Sequence, residues 1–348
     1  VDAEVKPQAF YPSKLLLQWH LTERCNLRCA HCYQESYQGR ELAPADWEAV
    51  LAQFVDLLHS APTRIPGHIT VTGGEPFILT DFFALLERFA AHRRDFSFAV
   101  LTNGTLIDAA AARQLKALGV GFVQVSVEGT ESTHERIRGA GSYRRAVTAI
   151  EQLVKAGVRT MISFTAHRDN YREFPAVAEL GYRLKAARVW ADRLIPQGQG
   201  AALSELLMSP DETHEFIRIM AEARKAAQRR WFNHTEIAMH RALQFLEGGG
   251  LPYRCTAGES LLTLQANGDL LPCRRMPIVV GNVLQMPLAE LYQSSPLLRA
   301  LRDRERISVG CEACAFARLC RGGLRCLAYA VTGDPFHADP GCWLKKET

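Results

Sequence analysis

The sequence predicts an α/β fold of parallel strands with a small C-terminal appendage, and three observations carry that prediction. Short apolar, β-branched runs alternate with helical periodicity from Leu15 to about Arg193. The alternation repeats as six β–α units of roughly 25 to 35 residues, a spacing that requires parallel strands joined by right-handed crossovers. The ten cysteines fall into two dense groups separated by more than two hundred cysteine-free residues, a grouping that indicates metal ligation in a reducing compartment rather than disulfide stapling.

The expected strands are Leu15–His20, 68–72, 97–102, 122–127, 159–165 and Arg188–Arg193, with helices between them. Ala43-Pro44-Ala45-Asp46-Trp47 opens one helix, and Gly119 closes another after Leu115 and Leu118. Beyond residue 200 the pattern changes: 210–230 and 237–247 read as helices, and Gly248-Gly249-Gly250 breaks the periodicity. Residues 261–265 and 270–271 then flank Asn267-Gly268-Asp269, which predicts a β-hairpin with a type I′ turn. Cys255 and Cys273 flank that hairpin, so one turn brings two distant thiols together. The expected division is a barrel core over 1–200, a helical linker over 201–250 and an auxiliary domain over 251–348.

A chain of 348 residues that is 47% hydrophobic and 22% charged buries a sizeable core. It has no run of 18 apolar residues and no signal sequence at its start, so no membrane association and a cytoplasmic location are expected. The net charge of +4 is too small to argue for nucleic acid. The basic run 224–230 suits a solvated helix C-terminus, or the docking of an acidic redox partner or leader peptide.

Cys25, Cys29 and Cys32 form a CxxxCxxC triplet directly after the first strand. Three thiolates hold three irons of a [4Fe–4S] cube and leave the fourth open to a ligand. A zinc loop is the alternative, but zinc sites recruit CxxC pairs with a second pair downstream. The triplet resembles the signature of the radical S-adenosylmethionine (AdoMet, SAM) enzymes, and the six β–α units then resemble that family's partial (β/α)6 barrel. In that family AdoMet chelates the open iron and is reductively cleaved to a 5′-deoxyadenosyl radical that abstracts a substrate hydrogen, which makes Cys25, Cys29 and Cys32 the catalytic cluster's ligands.

The resemblance extends to the strand ends. The second strand ends in Thr72-Gly73-Gly74-Glu75-Pro76, whose glycines permit close backbone approach and whose glutamate is an acceptor for an amine. By resemblance Gly73, Gly74, Glu75 and Pro76 bind the AdoMet ammonium group. Asn103 and Ser126, with Glu128, lie at the C-terminal ends of the third and fourth strands, where α/β sheets gather ligands; the family contacts the AdoMet ribose and carboxylate there. The fork of Arg138 suits that carboxylate, and Tyr33 is placed to cover the cluster or the adenine. His20, His31, His167, Asp192 and Asp269 read as structural polar residues, and Trp19 as core.

The later cysteines read Cys255-x12-Gly268-x4-Cys273, then Cys311-x2-Cys314-x5-Cys320, Cys326 and Cys342. This resembles the SPASM extension with its two auxiliary Fe–S clusters, as in PqqE-like enzymes. The resemblance implies an outer [4Fe–4S] cluster on Cys311, Cys314, Cys320 and Cys342 and an inner one on Cys255, Cys273 and Cys326. Leu324 stands where relatives carry a further thiol, leaving the inner cluster three obvious ligands and its nuclearity open. A substrate thiolate, a non-cysteine side chain or another donor would complete it. Where the sulfatase-maturing branch carries an Asp base after the second hairpin cysteine, this chain has Arg274 and Arg275. A guanidinium is no base near neutral pH, which disfavours formylglycine formation and leaves these residues to bind a substrate carboxylate, neutralise cluster charge or lie on the surface.

The expected function is radical AdoMet modification or crosslinking of a ribosomally made precursor peptide by thioether or carbon–carbon bond formation, with a flavodoxin or ferredoxin-type donor. About fourteen residues precede the first strand, so a separate leader-binding protein or a small substrate is expected. The alternatives are tetrapyrrole or other small-molecule cofactor synthesis by the same chemistry and, in another class, a non-catalytic Fe–S electron-transfer or zinc-binding protein.

Overall fold

A computed structural model describes residues 9–232 and 234–344. Its strands are β1 (Leu15–His20), β2 (Gly67–Thr72), β3 (Phe96–Thr102), β4 (Val123–Ser126), β5 (Thr160–Ala166), β6 (Arg188–Arg193), β7 (Glu236–Ala238), β8 (Leu261–Leu264), β9 (Asp269–Leu271) and β10 (Gly281–Asn282). They form one sheet in the order β10-β9-β8-β1-β2-β3-β4-β5-β6-β7. From β8 to β7 all neighbours are parallel, and β9 and β10 add antiparallel strands at one edge.

Alternation along β1 buries Leu15, Leu17 and Trp19 against the helices on the outer face. Trp19 packs on Phe89 of the helix Phe82–Ala91, and Phe54 of the helix Pro44–His59 packs on Phe96. That first helix starts where Pro44 requires it, with Asp46 accepting a hydrogen bond from the Ala43 amide at 2.9 Å. These apolar contacts fix the sheet, so the loops after each strand converge at its C-terminal edge.

Two expectations are corrected. Residues 237–247 are not a helix: Ile237 and Ala238 pair with Val189 and Trp190 as strand β7, followed by short helical turns Ala242–Gln244 and Phe245–Gly248. The exposed edge of β6 is completed by this segment, and that long-range pairing overrides the local periodicity. The 261–271 hairpin exists, but its turn is not type I′. Gln265 pairs with Asp269, the Gly268 amide donates to Gln265 O at 3.0 Å, and Gly268 is the one residue of the loop with positive φ (+91°). A type I′ turn needs two such residues, so this is a three-residue loop with glycine in the left-handed position. The hairpin docks through β8 onto β1, with Leu16 opposite Leu261, which carries the C-terminal cysteines against the barrel. Among the described residues no helix is long and apolar enough to cross a membrane.

Candidate functional site

The loop after β1 is clamped on both sides by backbone hydrogen bonds. Gly74 N donates to Thr22 O (2.7 Å) and Glu75 N to Arg24 O (2.9 Å); Ala30 N reaches Ile137 O (2.9 Å) and Gly200 N reaches Cys32 O (2.9 Å). The glycines of Gly73-Gly74 serve this clamp: a Cβ on either would overlap the carbonyl of Thr22 or Arg24, and Gly73 has φ +143°. The close approach is therefore between two loops of the chain, not between the glycines and a ligand alone.

The clamp presents Cys25, Cys29 and Cys32 to one open cavity, which Tyr33, Gly73, Gly74, Asn103, Ser126 and Arg138 also line. Glu75, Pro76 and Glu128 are brought close but do not line it. Glu75 is fully buried, accepting from Thr102 Oγ1 (2.7 Å), Asn103 N (2.8 Å) and Phe77 N (3.3 Å). Burial pushes its carboxyl up to about 7 against those hydrogen bonds. Its acceptors are thus spent on fixing the ends of β2 and β3. Asn103 in turn donates to Asn26 Oδ1 at 2.9 Å, tying β3 to the cysteine loop.

Glu128 is likewise fully buried. It accepts from Arg138 Nε (3.0 Å), His31 Nε2 (3.1 Å) and Thr165 N (2.7 Å). Burial works to raise its carboxyl, but the Arg138 guanidinium and then His31 outweigh it and hold the group well below the usual carboxylate range. The Arg138 fork is therefore engaged by an internal acid, with Nη1 left at 3.8 Å from Cys29 Sγ. Burial raises the Cys25 thiol to about 11, so thiolate formation here awaits a bound cation.

Of the far wall of the cavity, the sequence pointed only to Arg274 and Arg275, as candidates for a substrate carboxylate, and to Asp192, as structural. The wall comprises Gln124, Ser163, Thr165, Trp190 and residues 192–195 from β4, β5, β6 and the segment just after β6, with Arg274 and Arg275 from the C-terminal segment. Trp190 Nε1 donates to Gln124 Oε1 at 3.0 Å. Asp192, read as structural, is buried between Arg275, which donates to it, and Arg241 at 3.8 Å. No local signal marks Gln124, Ser163 and Trp190, which lie within their strands rather than at the ends. Asp269, by contrast, stays in its hairpin, accepting from Asn282 at 2.9 Å.

The C-terminal thiols form two further groups. Cys311, Cys314, Cys320 and Cys342 line a small pocket with Phe245 and Phe316. Burial raises the Cys320 thiol to about 12. Cys255, Cys273 and Cys326 lie near enough that burial and then mutual repulsion raise the Cys326 thiol. Beside Cys255 sit Arg321 and Arg325, both about 1% exposed. Four of their nitrogens, Nε and Nη1 of Arg321 and Nε and Nη2 of Arg325, have no hydrogen-bond partner. Glu259 lies 3.5 Å from Arg321 and is the nearby acid. Buried cations with orphaned donors call for an anion, and an Fe–S core on three thiolates fits that need. Among the described residues no group of three or more His, Cys, Asp or Glu side chains is gathered to hold one metal ion. Cys25, Cys29 and Cys32, and separately Cys311, Cys314, Cys320 and Cys342, line cavities instead, a donor set suited to multinuclear clusters.

The comparisons agree with this geometry. The Radical SAM superfamily profile matches residues 19–181, and the SPASM iron-sulfur cluster-binding domain matches 255–315. The chain is 28% identical to an AdoMet-dependent heme synthase of Methanosarcina barkeri, covering 94% of this chain and 95% of the relative. It is 29% identical to a PqqA peptide cyclase of Gluconobacter oxydans (96% and 91%) and 30% identical to the mycofactocin maturase MftC of Mycobacterium ulcerans (94% and 87%). In fold it is similar to Streptococcus suis SuiB bound to its precursor peptide SuiA, with a TM-score of 0.73 at 18% identity over 97% of this chain and 76% of that one.

Proposed function

The chain belongs to the radical SAM superfamily and carries a SPASM iron-sulfur domain, and on that premise we propose that it modifies or crosslinks a ribosomally made peptide by hydrogen abstraction. The observation that carries this reading is the single cavity shared by Cys25, Cys29 and Cys32, the strand-end polar groups and the arginines of the C-terminal segment. A [4Fe–4S] cluster with AdoMet, when bound, supplies a 5′-deoxyadenosyl radical there. The chain's own part is positional. Cys25, Cys29 and Cys32 hold the cluster on a loop that cannot drift, because Gly73–Glu75, Ile137 and Gly200 grip its backbone. Gly73, Gly74, Asn103, Ser126 and Tyr33 bound the space left for AdoMet, while Glu75, Pro76 and Glu128 brace those groups from behind. Arg138, already balanced by Glu128, offers Nη1 to the cluster side.

The outer thiols Cys311, Cys314, Cys320 and Cys342 and the inner thiols Cys255, Cys273 and Cys326 hold the auxiliary clusters, the inner one next to the cavity through Arg275 and Asp192. That adjacency gives an electron lost by the substrate a near acceptor. The peptide class is supported by the PqqA peptide cyclase and MftC relatives; a flavodoxin or ferredoxin donor and a separate leader-binding protein complete the proposed system. Tetrapyrrole modification is the second reading, favoured by the heme synthase relative and by the arginine-lined wall.

The test is anaerobic reconstitution with iron and sulfide counts, followed by AdoMet cleavage with peptides encoded nearby and with Fe-coproporphyrin III. Deuterium from a labelled peptide appearing in 5′-deoxyadenosine supports the first reading. Turnover confined to the porphyrin replaces it with the second, and a protein that never cleaves AdoMet refutes both.

A further inference from the structure

Four guanidiniums line the cavity: Arg138, Arg193, Arg274 and Arg275. Three of them have a buried carboxylate of their own. Arg138 is paired with Glu128, Arg193 with Asp339 and Arg275 with Asp192. Arg274 makes no ion pair among the described residues. Its Nη1 donates to the Tyr33 hydroxyl at 2.9 Å, and its guanidinium carbon lies 4.7 Å from the centre of the Tyr33 ring. The Tyr33 hydroxyl is a neutral acceptor and not a carboxylate, so the hydrogen bond leaves Arg274 without a side-chain counter-ion among the described residues.

The placement is built by the backbone. Met276 N donates to Cys273 O at 2.9 Å, closing a tight turn whose two central residues are Arg274 and Arg275. Arg275 spends its charge on Asp192, while Arg274 swings onto Tyr33, the residue next to Cys32. The free cation therefore stands between the cavity's cysteine loop and the thiol of Cys273. A planar fork in a half-buried site is matched by a carboxylate, which takes two parallel N–H bonds.

We propose that Arg274 is the anchor for a carboxylate of the substrate, and that the enzyme acts on a molecule presenting a glutamate or aspartate side chain, a chain-terminal carboxylate or a propionate to this wall. The assignment rests on the radical SAM reading of the cavity and narrows its substrate class. It also gives the substrate a direction: held at Arg274, it spans the space between the initiating thiols and the inner thiols. AdoMet carries a carboxylate too, and the test separates that source from the substrate.

The experiment follows the rate at which phenylglyoxal labels Arg274 in the reconstituted holoenzyme, read by peptide mass spectrometry. The probes are glutarate, its uncharged counterpart glutaramide, and AdoMet. With AdoMet saturating, Arg274 should still label, and glutarate should slow that labelling at least about tenfold, as expected for a charge-assisted pair, while glutaramide leaves it unchanged. Protection by AdoMet alone would assign Arg274 to the cofactor and overturn the proposal. Equal effects of glutarate and glutaramide, or an Arg274 that never labels, would overturn it as well. AdoMet cleavage under dithionite is measured on the same sample: its absence sinks the radical reading, whereas a missing glutarate effect with cleavage intact sinks only the anchor.

Discussion

The cysteine loop Cys25–Cys32 and the inner thiols Cys255, Cys273 and Cys326 are both sets of three, yet their electrostatic surroundings differ. Around the first, the buried cation Arg138 has a buried acid, Glu128, and the thiols open on a large cavity. Around the second, Arg321 and Arg325 are sealed from solvent with four orphaned donors and one nearby acid. A cation already paired with its own acid, as Arg138 is with Glu128, keeps that balance when a ligand leaves. A site that lacks its anion is strained until the anion arrives. On the proposed reading, the first set suits the exchange of AdoMet and the second suits a resident cluster.

The largest expected effect tests the exchange site. Cys25→Ser should abolish AdoMet cleavage while leaving the melting temperature of the apoprotein unchanged, because the loop is held by backbone bonds rather than by its thiols; a cooperative loss of fold would break the contrast. Glu128→Gln comes next. It leaves Arg138 buried without its counter-charge and should destabilise the chain by about 3–5 kcal/mol in denaturant unfolding. A loss under about 1 kcal/mol would mean that Arg138 is not balanced by Glu128.

A third prediction uses pH. The unfolded Glu75 carboxyl releases its proton near 4.5 and the folded one near 7. The folded state therefore binds more protons between those values. Its contribution to stability is fully present below the lower one and is lost as pH rises through the upper. Wild-type stability should fall by about 1–3 kcal/mol more than that of Glu75→Gln over this window, read from denaturant midpoints; parallel profiles would contradict the burial argument. The smallest effect sharpens the other half of the comparison. Arg325→Met should stabilise the cluster-free protein by about 1 kcal/mol and, after reconstitution, shift one Fe–S couple to more negative potential in an EPR-monitored titration. Destabilisation before loading with no shift afterwards would show Arg325, whose Nη1 donates to Leu301 O at 2.9 Å, to be a strut for that carbonyl and nothing more.

Much of this contrast lies beyond what sequence shows. The triplet, the strand ends at Asn103 and Ser126 and the grouping of the later thiols are legible because they depend on spacing and on the period-2 pattern of each strand. Strand β7 is not, since Ile237 and Ala238 are strand only through their pairing with β6. Nor are the partners of Glu75, Glu128 and Arg138 legible, because residues up to 97 positions apart meet only after the sheet is assembled. The unpaired state of Arg274 is a property of four arginines taken together, and no local motif announces it.

The measurement closest to the central claim is EPR of the reconstituted, reduced protein with and without AdoMet, alongside Cys25→Ser, Cys255→Ser and Cys320→Ser variants. AdoMet should perturb one signal, the one lost in Cys25→Ser, and leave the signals lost in the other two unchanged. A protein in which AdoMet alters no signal, or alters the one lost in Cys255→Ser, would contradict the assignment of exchange to the first site and permanence to the second.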